Sequence, residues 1–251
     1  MVAVFKTIVL IAFFLLSLLN AKELDVVFSY STPPYVFKDG SGIVLTIVEE
    51  ALAHKNHTLK PIFVNMGRSF EMFKDGYVDA TSIIKKNSGL EAYYSEYFMQ
   101  YHNAAFALKL RHYDIKTIED LAKYNLVSFQ NASKYLGERF QKVTQISDKK
   151  YAEVADQKQQ AFMLLKGRVD VAIMDRHIFQ FYKNELIAEG KISPNVETEL
   201  FELFEPTQYR TAFKDEKLRD DFNEGIEFLK VSGRYDEIYD LYSNKYFEIK
   251  K

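Results

Sequence analysis

Twice in this chain a helical segment runs out on a glycine and passes directly into Val-Asp and an apolar strand. The passages are Phe73-Lys74-Asp75-Gly76-Tyr77-Val78-Asp79-Ala80 and Leu165-Lys166-Gly167-Arg168-Val169-Asp170-Val171. The glycine suits the left-handed cap that ends a helix. A helix feeding a buried strand is half of a βαβ unit, and repeated βαβ units imply parallel strands covered by helices. Any helix-to-strand junction has this form. The echo therefore fits either two ordinary junctions or two lobes built on one plan.

The rest of the chain continues the alternation. Apolar runs predict strands at 24–29, 59–65, 78–84, 125–129, 143–146 and 169–174. Helical spacing predicts helices at 43–54, 68–74, 134–140, 154–165 and 176–183. Residues 30–42, with Pro33-Pro34 and Asp39-Gly40-Ser41-Gly42, read as a loop. Leu218, Phe222, Ile226 and Leu229 form one stripe of a helix at 216–231, stopped by Ser232-Gly233. A second aromatic stripe follows at 235–246. Such stripes are read as core packing.

Composition sets the outer limits. The chain has 251 residues, enough for two lobes that each hold a core. A net charge of -2 gives no general attraction to nucleic acid. The absence of cysteine removes disulfides, thiolate catalysis, Cys-based zinc sites and cysteine acylation. At the N-terminus Lys6 precedes an apolar run at 7–19, which breaks at Asn20-Ala21. The run is short of the roughly 20 apolar residues a spanning helix needs. Residues 1–21 therefore read as a cleaved secretory signal. Leu19 is larger than such a site prefers, so an uncleaved anchor is the alternative.

Six ordered motifs give the mature chain a likeness. They are Pro33-Pro34-Tyr35-Val36-Phe37-Lys38-Asp39-Gly40, the passage 73–80, Tyr94-Ser95-Glu96-Tyr97-Phe98, Ile118-Glu119-Asp120-Leu121, the run 166–175, and Ser232-Gly233-Arg234-Tyr235-Asp236-Glu237-Ile238-Tyr239. In this it resembles the family 3 extracytoplasmic solute-binding proteins, of type 2 periplasmic binding protein fold. The resemblance implies an α/β fold, a two-lobed clamshell whose lobes are each a mainly parallel sheet flanked by helices. Lobe 1 would hold 22–107 and 211–251, and lobe 2 would hold 108–210. Two hinge crossovers would join them, with ligand in the cleft. It further implies a periplasmic monomer that binds a small polar solute, an amino acid or related carboxylate included. That solute would go to an ABC permease in the inner membrane, with no cofactor, no metal and no nucleic acid.

The candidate ligand groups follow residue by residue. Tyr35, stiffened by the two prolines before it, offers a flat ring to the ligand, or else covers the core. Asp175 ends a strand and starts a helix. In the family this position often meets a ligand ammonium, and it also suits a helix N-cap. Gln130, Asn131 and Ser133 lie in another strand-to-helix loop, where backbone N–H groups and a hydroxyl suit a carboxylate. Ser133 as a simple cap is the alternative.

One departure bears on the ligand. Amino-acid binders of the family place an Arg after the third strand, as a bidentate fork for the carboxylate. Here no Arg lies between Thr81 and Phe98. Lys85, as a point charge, or Arg68, from the preceding helix, could stand in, or either could be a solvated surface charge.

Two other classes compete. A secreted enzyme of the same fold, such as a dehydratase, would need an acid or base, for which Glu91, Glu96, His102 and His177 qualify by type. No nucleophile elbow, phosphate-binding loop or HExxH motif occurs. His54 and His57, three apart at a helix end beside Asn56 and Thr58, read as surface histidines rather than metal ligands, and His112 and His177 read the same way. A sensing subunit would need a separate signalling partner.

Overall fold

The computed structural model describes residues 21–29, 32–37, 39–64 and 66–246. The expected signal segment thus lies, but for Ala21, outside the described residues. In chain order the elements are β1 (Glu23–Ser29), α1 (Ile43–Ala53), β2 (Thr58–Val64), α2 (Met66–Lys74), β3 (Ala80–Ile84), β4 (Tyr93–Tyr94), β5 (Met99–Tyr101) and β6 (Asn103–Leu108). Then come β7 (Leu126–Phe129), α3 (Ala132–Tyr135), α4 (Glu138–Ile146), β8 (Tyr151–Val154), α5 (Gln157–Leu165), β9 (Val171–Asp175) and α6 (Arg176–Ala188). The last are β10 (Thr198–Phe201), β11 (Thr207–Phe213), α7 (Glu216–Val231) and α8 (Arg234–Tyr246). None of the described helices is long and apolar enough to cross a membrane.

The described chain divides into two compact units, one of residues 21–99 with 208–245, the other of 100–207. Residues 100–107, expected in lobe 1, lie in the second unit, and residues 208–210, expected in lobe 2, lie in the first. The reason for the former is β6, which is buried along its whole length and pairs with both β9 and β10.

The first unit is built on β1. Leu24, Val26, Val27 and Phe28 are fully buried, so this strand takes the interior between β2 and β3, parallel to both. β11 extends the sheet antiparallel to β3 and carries β4 and β5. The apolar side of α1, from Ile43 to Leu52, is buried, and α7 lies against it. Gly225 of α7 makes that approach possible: a Cβ there would stand 2.0 Å from the Ala51 carbonyl oxygen. A buried hydrogen bond of 3.0 Å between His57 Nε2 and Asp221 joins the same layer.

The second unit repeats the plan. β7 lies between β8 and β9, parallel to both, while β6 and β10 extend the sheet antiparallel. Each sheet is therefore mixed, with a parallel core of three strands. The antiparallel members, β6, β10 and β11, fall where the sequence shows no βαβ alternation. Gln160 of α5 is buried. Its side-chain amide donates to the carbonyls of Val127 and Ile173, one on each neighbouring parallel strand.

One stretch corrects the sequence reading. Residues 143–146, expected as a strand, are the end of α4, and the helix expected from 154 is preceded by β8. Phe140 and Val143 are buried one turn apart on the same helix face, so the period is helical. Gly137, at φ 93°, separates α4 from α3, where one helix at 134–140 was expected. β8 is an edge strand, half in contact with solvent, and its apolar signal is correspondingly weak.

Candidate functional site

The carboxyl ends of parallel strands gather the loops that can face a ligand. In the first unit the loop after β1 is held by its own backbone. Tyr35 N–H donates to the Thr32 carbonyl, and the Pro34 and Tyr35 carbonyls accept from the first amides of α1. Gly42, at φ 132°, allows this: a Cβ there would lie 2.4 Å from the Tyr35 oxygen. Tyr35 is completely buried, among the largest side chains so enclosed. Arg68 lies exposed on α2, 3.4 Å from the carboxylate of Glu71, one helical turn away.

Lys85 directly follows β3. Its approach is unusual, because Ile83 adopts φ 59°. A left-handed β-branched residue is a backbone outlier, of the kind that clusters at ligand-binding positions. Opposite it the β3–β11 register slips, with Arg210 facing Ile84 and Ala212 facing Thr81. Such a bulge redirects the chain that leaves the strand. Lys85 is half-buried there, and burial holds its ammonium below the ordinary lysine value.

Arg210 was not expected. It lies on β11 opposite the end of β3, mostly buried, and NH1 donates to the Ser95 carbonyl at 2.6 Å. Its guanidinium also lies over the Tyr97 ring at 5.9 Å from the centroid. The family's arginine position lies between Thr81 and Phe98, where this chain has none. Strand pairing brings this one from more than a hundred residues further on.

In the second unit, Asp175 ends β9 with 1% exposure. One carboxylate oxygen accepts from the N–H groups of His177 and Ile178, at 2.9 and 3.2 Å, and the other from His102 N–H at 2.7 Å. In the structure Asp175 caps α6 and also holds the residue that joins β5 to β6. His177 opens α6 beside it. Its ring is driven down to about 4 by burial, then by the charges of Arg176 and His102. His102 is lowered too, chiefly by burial.

The loop after β7 is the most informative. Gln130 is exposed, and Asn131 is left-handed at φ 65°. This turn aims the N–H groups of Asn131 and Ser133 at one point, the geometry of an anion-binding nest. The point is already filled by the carboxylate of Glu153 from β8. Asn131 N–H donates to one oxygen at 2.7 Å and Ser133 N–H to the other at 3.0 Å. The Tyr151 hydroxyl donates to the latter oxygen at 2.7 Å and lies 2.8 Å from the Ser128 hydroxyl. Burial pushes the Glu153 carboxyl up, but the Ser133 amide, the Tyr151 and Ser133 hydroxyls and the Asn131 amide outweigh it and hold it below its ordinary value. Burial above all holds the Tyr151 hydroxyl well above the phenol range.

The sequence thus located the cradle but not its occupant. The helix expected from 154 leaves Glu153 outside any element, whereas β8 lays it opposite Ser128. The remaining acid–base candidates are scattered. Glu91 is exposed and Glu96 lies 3.5 Å from Arg210. Of the histidines expected at the surface, His112 is exposed and His54 stacks on Phe228, whereas His57 is buried against Asp221. Among the described residues no group of three His, Asp or Glu is placed to hold a metal ion.

No family model matches the sequence, and no curated protein matches it. Solved structures do. An ancestral arginine-binding protein bound to arginine superposes with a TM-score of 0.70 at 19% identity, over 88% of this chain and 97% of that one. A substrate-binding protein of an ABC uptake transporter from Streptococcus pneumoniae, with bound histidine, gives 0.69 at 18%, over 91% and 95%. A histidine kinase sensor domain with similarity to periplasmic binding proteins gives 0.69 at 18%, over 88% and 95%. The chain has the α/β fold of the type 2 periplasmic binding proteins, as the resemblance implied.

Proposed function

We propose that this chain is an extracytoplasmic binding protein for a small polar solute, which it passes to an ABC permease. The observation that carries the reading is the strained bulge at Ile83. It places a half-buried lysine at the carboxyl end of a parallel strand, where this fold leaves room for a ligand. Backbone strain of this kind costs about 1–3 kcal/mol and persists where the surroundings enforce it. The fold supports the reading, as do neighbours that bind amino acids. The apolar run at 7–19 supports export. In this reading Lys85 and the loop at 130–133 serve recognition, Tyr35 and Asp175 fix the loops around it, and the two units close on the solute by hinge motion. The chain performs no chemistry on it and acts as a monomer.

The test is thermal unfolding of the purified chain against amino acids, small carboxylates, polyamines and sugars. A solute at about 100 times its Kd stabilises the native state by roughly 2.7 kcal/mol, a shift of a few degrees. X-ray scattering with the active solute should show compaction. A flat panel, or turnover of any member, would overturn the proposal. A second reading is favoured by the sensor-domain neighbour: the same binding event could report to a separate signalling partner. Solute uptake by cells lacking the gene separates the two, since loss of uptake is expected only of transport.

A further inference from the structure

The loop at 130–133 has the form of a carboxylate site, yet a carboxylate of the protein fills it. Three donors converge on Glu153 within 3.0 Å, from Asn131, Ser133 and Tyr151. The support continues beneath it. Tyr151 is braced by Ser128, and the β7–β8 register sets Ser128 opposite Glu153. The side chain is thus carried to the nest by a strand paired to the one the nest grows from. A group tethered this way competes at an effective concentration of at least about millimolar. A dissolved carboxylate would also have to move an ionised group out of its hydrogen bonds and then lie beside its negative charge.

We propose that Glu153 is a built-in occupant of the Asn131–Ser133 cradle, and that it makes the chain selective for solutes that bring N–H or O–H donors, rather than a carboxylate, to this point. The substrate class is then cationic or neutral, a polyamine or a hydroxylated solute in preference to an α-amino acid bound by its carboxylate. This choice of class rests on the solute-binding reading above. The occupancy of the cradle does not.

Acetate is the probe. Amide ¹⁵N–¹H shifts of Asn131 and Ser133 are followed as sodium acetate is added, against sodium chloride at equal ionic strength. The native chain should show no acetate-specific shift. Glu153→Ala should bind acetate at those two amides at least about tenfold more tightly than the native chain, as charge-assisted bonds to the vacated donors allow. Saturable acetate shifts at both amides of the native chain would overturn the proposal, and so would a folded Glu153→Ala that shows none. Should the alanine variant fail to fold, the native titration still decides, and Glu153→Ser, too short to reach the cradle, replaces it in the second arm. The two readings fail separately. A flat solute panel with the expected acetate behaviour sinks transport and keeps the occupied cradle. An α-amino acid that binds the native chain through the two amides keeps transport and sinks this proposal.

Discussion

Two strand-to-helix junctions lie side by side in the second unit, and both end on a carboxylate that gathers backbone N–H groups. After β9 the carboxylate is Asp175, two and three residues before the amides of His177 and Ile178. After β7 it is Glu153, about twenty residues beyond the amides of Asn131 and Ser133. The first solution is local. Asp suits an N-cap whatever surrounds it. The second needs a neighbouring strand in one register, and a shift by one residue would turn Glu153 to the other face. A locally capped helix start is a structural device. A nest filled from a different strand resembles a ligand site with the ligand supplied by the protein.

The sharpest break in this comparison is Asp175→Ala. The substitution strands three N–H groups, two at the helix start and one on His102, of which that of Ile178 is buried and the others are partly so. Buried donors left without acceptors cost about 1–3 kcal/mol each, and the helix loses its cap besides. A net loss of about 3 kcal/mol in urea unfolding is expected. Loss of solute affinity in a variant with unchanged stability would instead make Asp175 a ligand group.

The same junction predicts an acid response. His177 is held down to about 4, against an unfolded value near 6.5. The folded chain resists the proton that the unfolded chain accepts. Its contribution is complete above pH 6.5 and is lost as pH falls from there toward 4. The loss is about 1–3 kcal/mol over that window, read from urea midpoints. His177→Gln should flatten most of the slope. An unchanged slope would place the acid response in other groups whose values are held down, His102 and the carboxylates of Glu153, Asp170 and Asp221.

The β7 junction is smaller in energy and opposite in design. Glu153→Gln keeps the shape and removes the charge from a partly exposed group, so solvent screening reduces the cost to about 1 kcal/mol at neutral pH. Glu153 lies below its ordinary value, so its stabilisation is present above the unfolded carboxylate value, about 4.3, and is lost as pH falls through the folded one. The Gln variant should converge on the native chain in acid. A constant gap at every pH would mean that shape rather than charge holds the nest.

These differences also decide what the sequence could show. Asp175, the helix at Glu216–Val231 and the Gly76 and Gly167 junctions each depend on residues within a few positions, and each was legible as a cap, a stripe or a breaker. The fold followed from them together with the six ordered motifs. Strand β8 was not legible, because a four-residue edge strand with three half-buried residues and one exposed carries little apolar signal. With β8 missed, Glu153 had no route to the nest. Arg210 was lost for the same reason, since a guanidinium brought by an antiparallel partner has no local mark. Arg68, three residues from Glu71 on an exposed face, is a surface ion pair, worth little to stability.

The smallest effect tests the comparison most finely. Ser133 was read as a hydroxyl for an anion, or as a cap. The structure uses its amide first, donating to Glu153 at 3.0 Å, with the hydroxyl assisting. Ser133→Ala removes the assistant and leaves the amide. The cost should be about 0.5 kcal/mol, the low end for one hydrogen bond in a partly exposed site. Ser133→Pro removes the amide proton itself. At this position, one residue into α3, a proline ring is tolerated by the helix. The proline variant should therefore cost more than the alanine one, and in Glu153→Ala the extra cost should vanish, as a double-mutant cycle would show. An equal cost in both backgrounds would place the value of Ser133 in the helix start alone and dissolve the distinction between the two junctions.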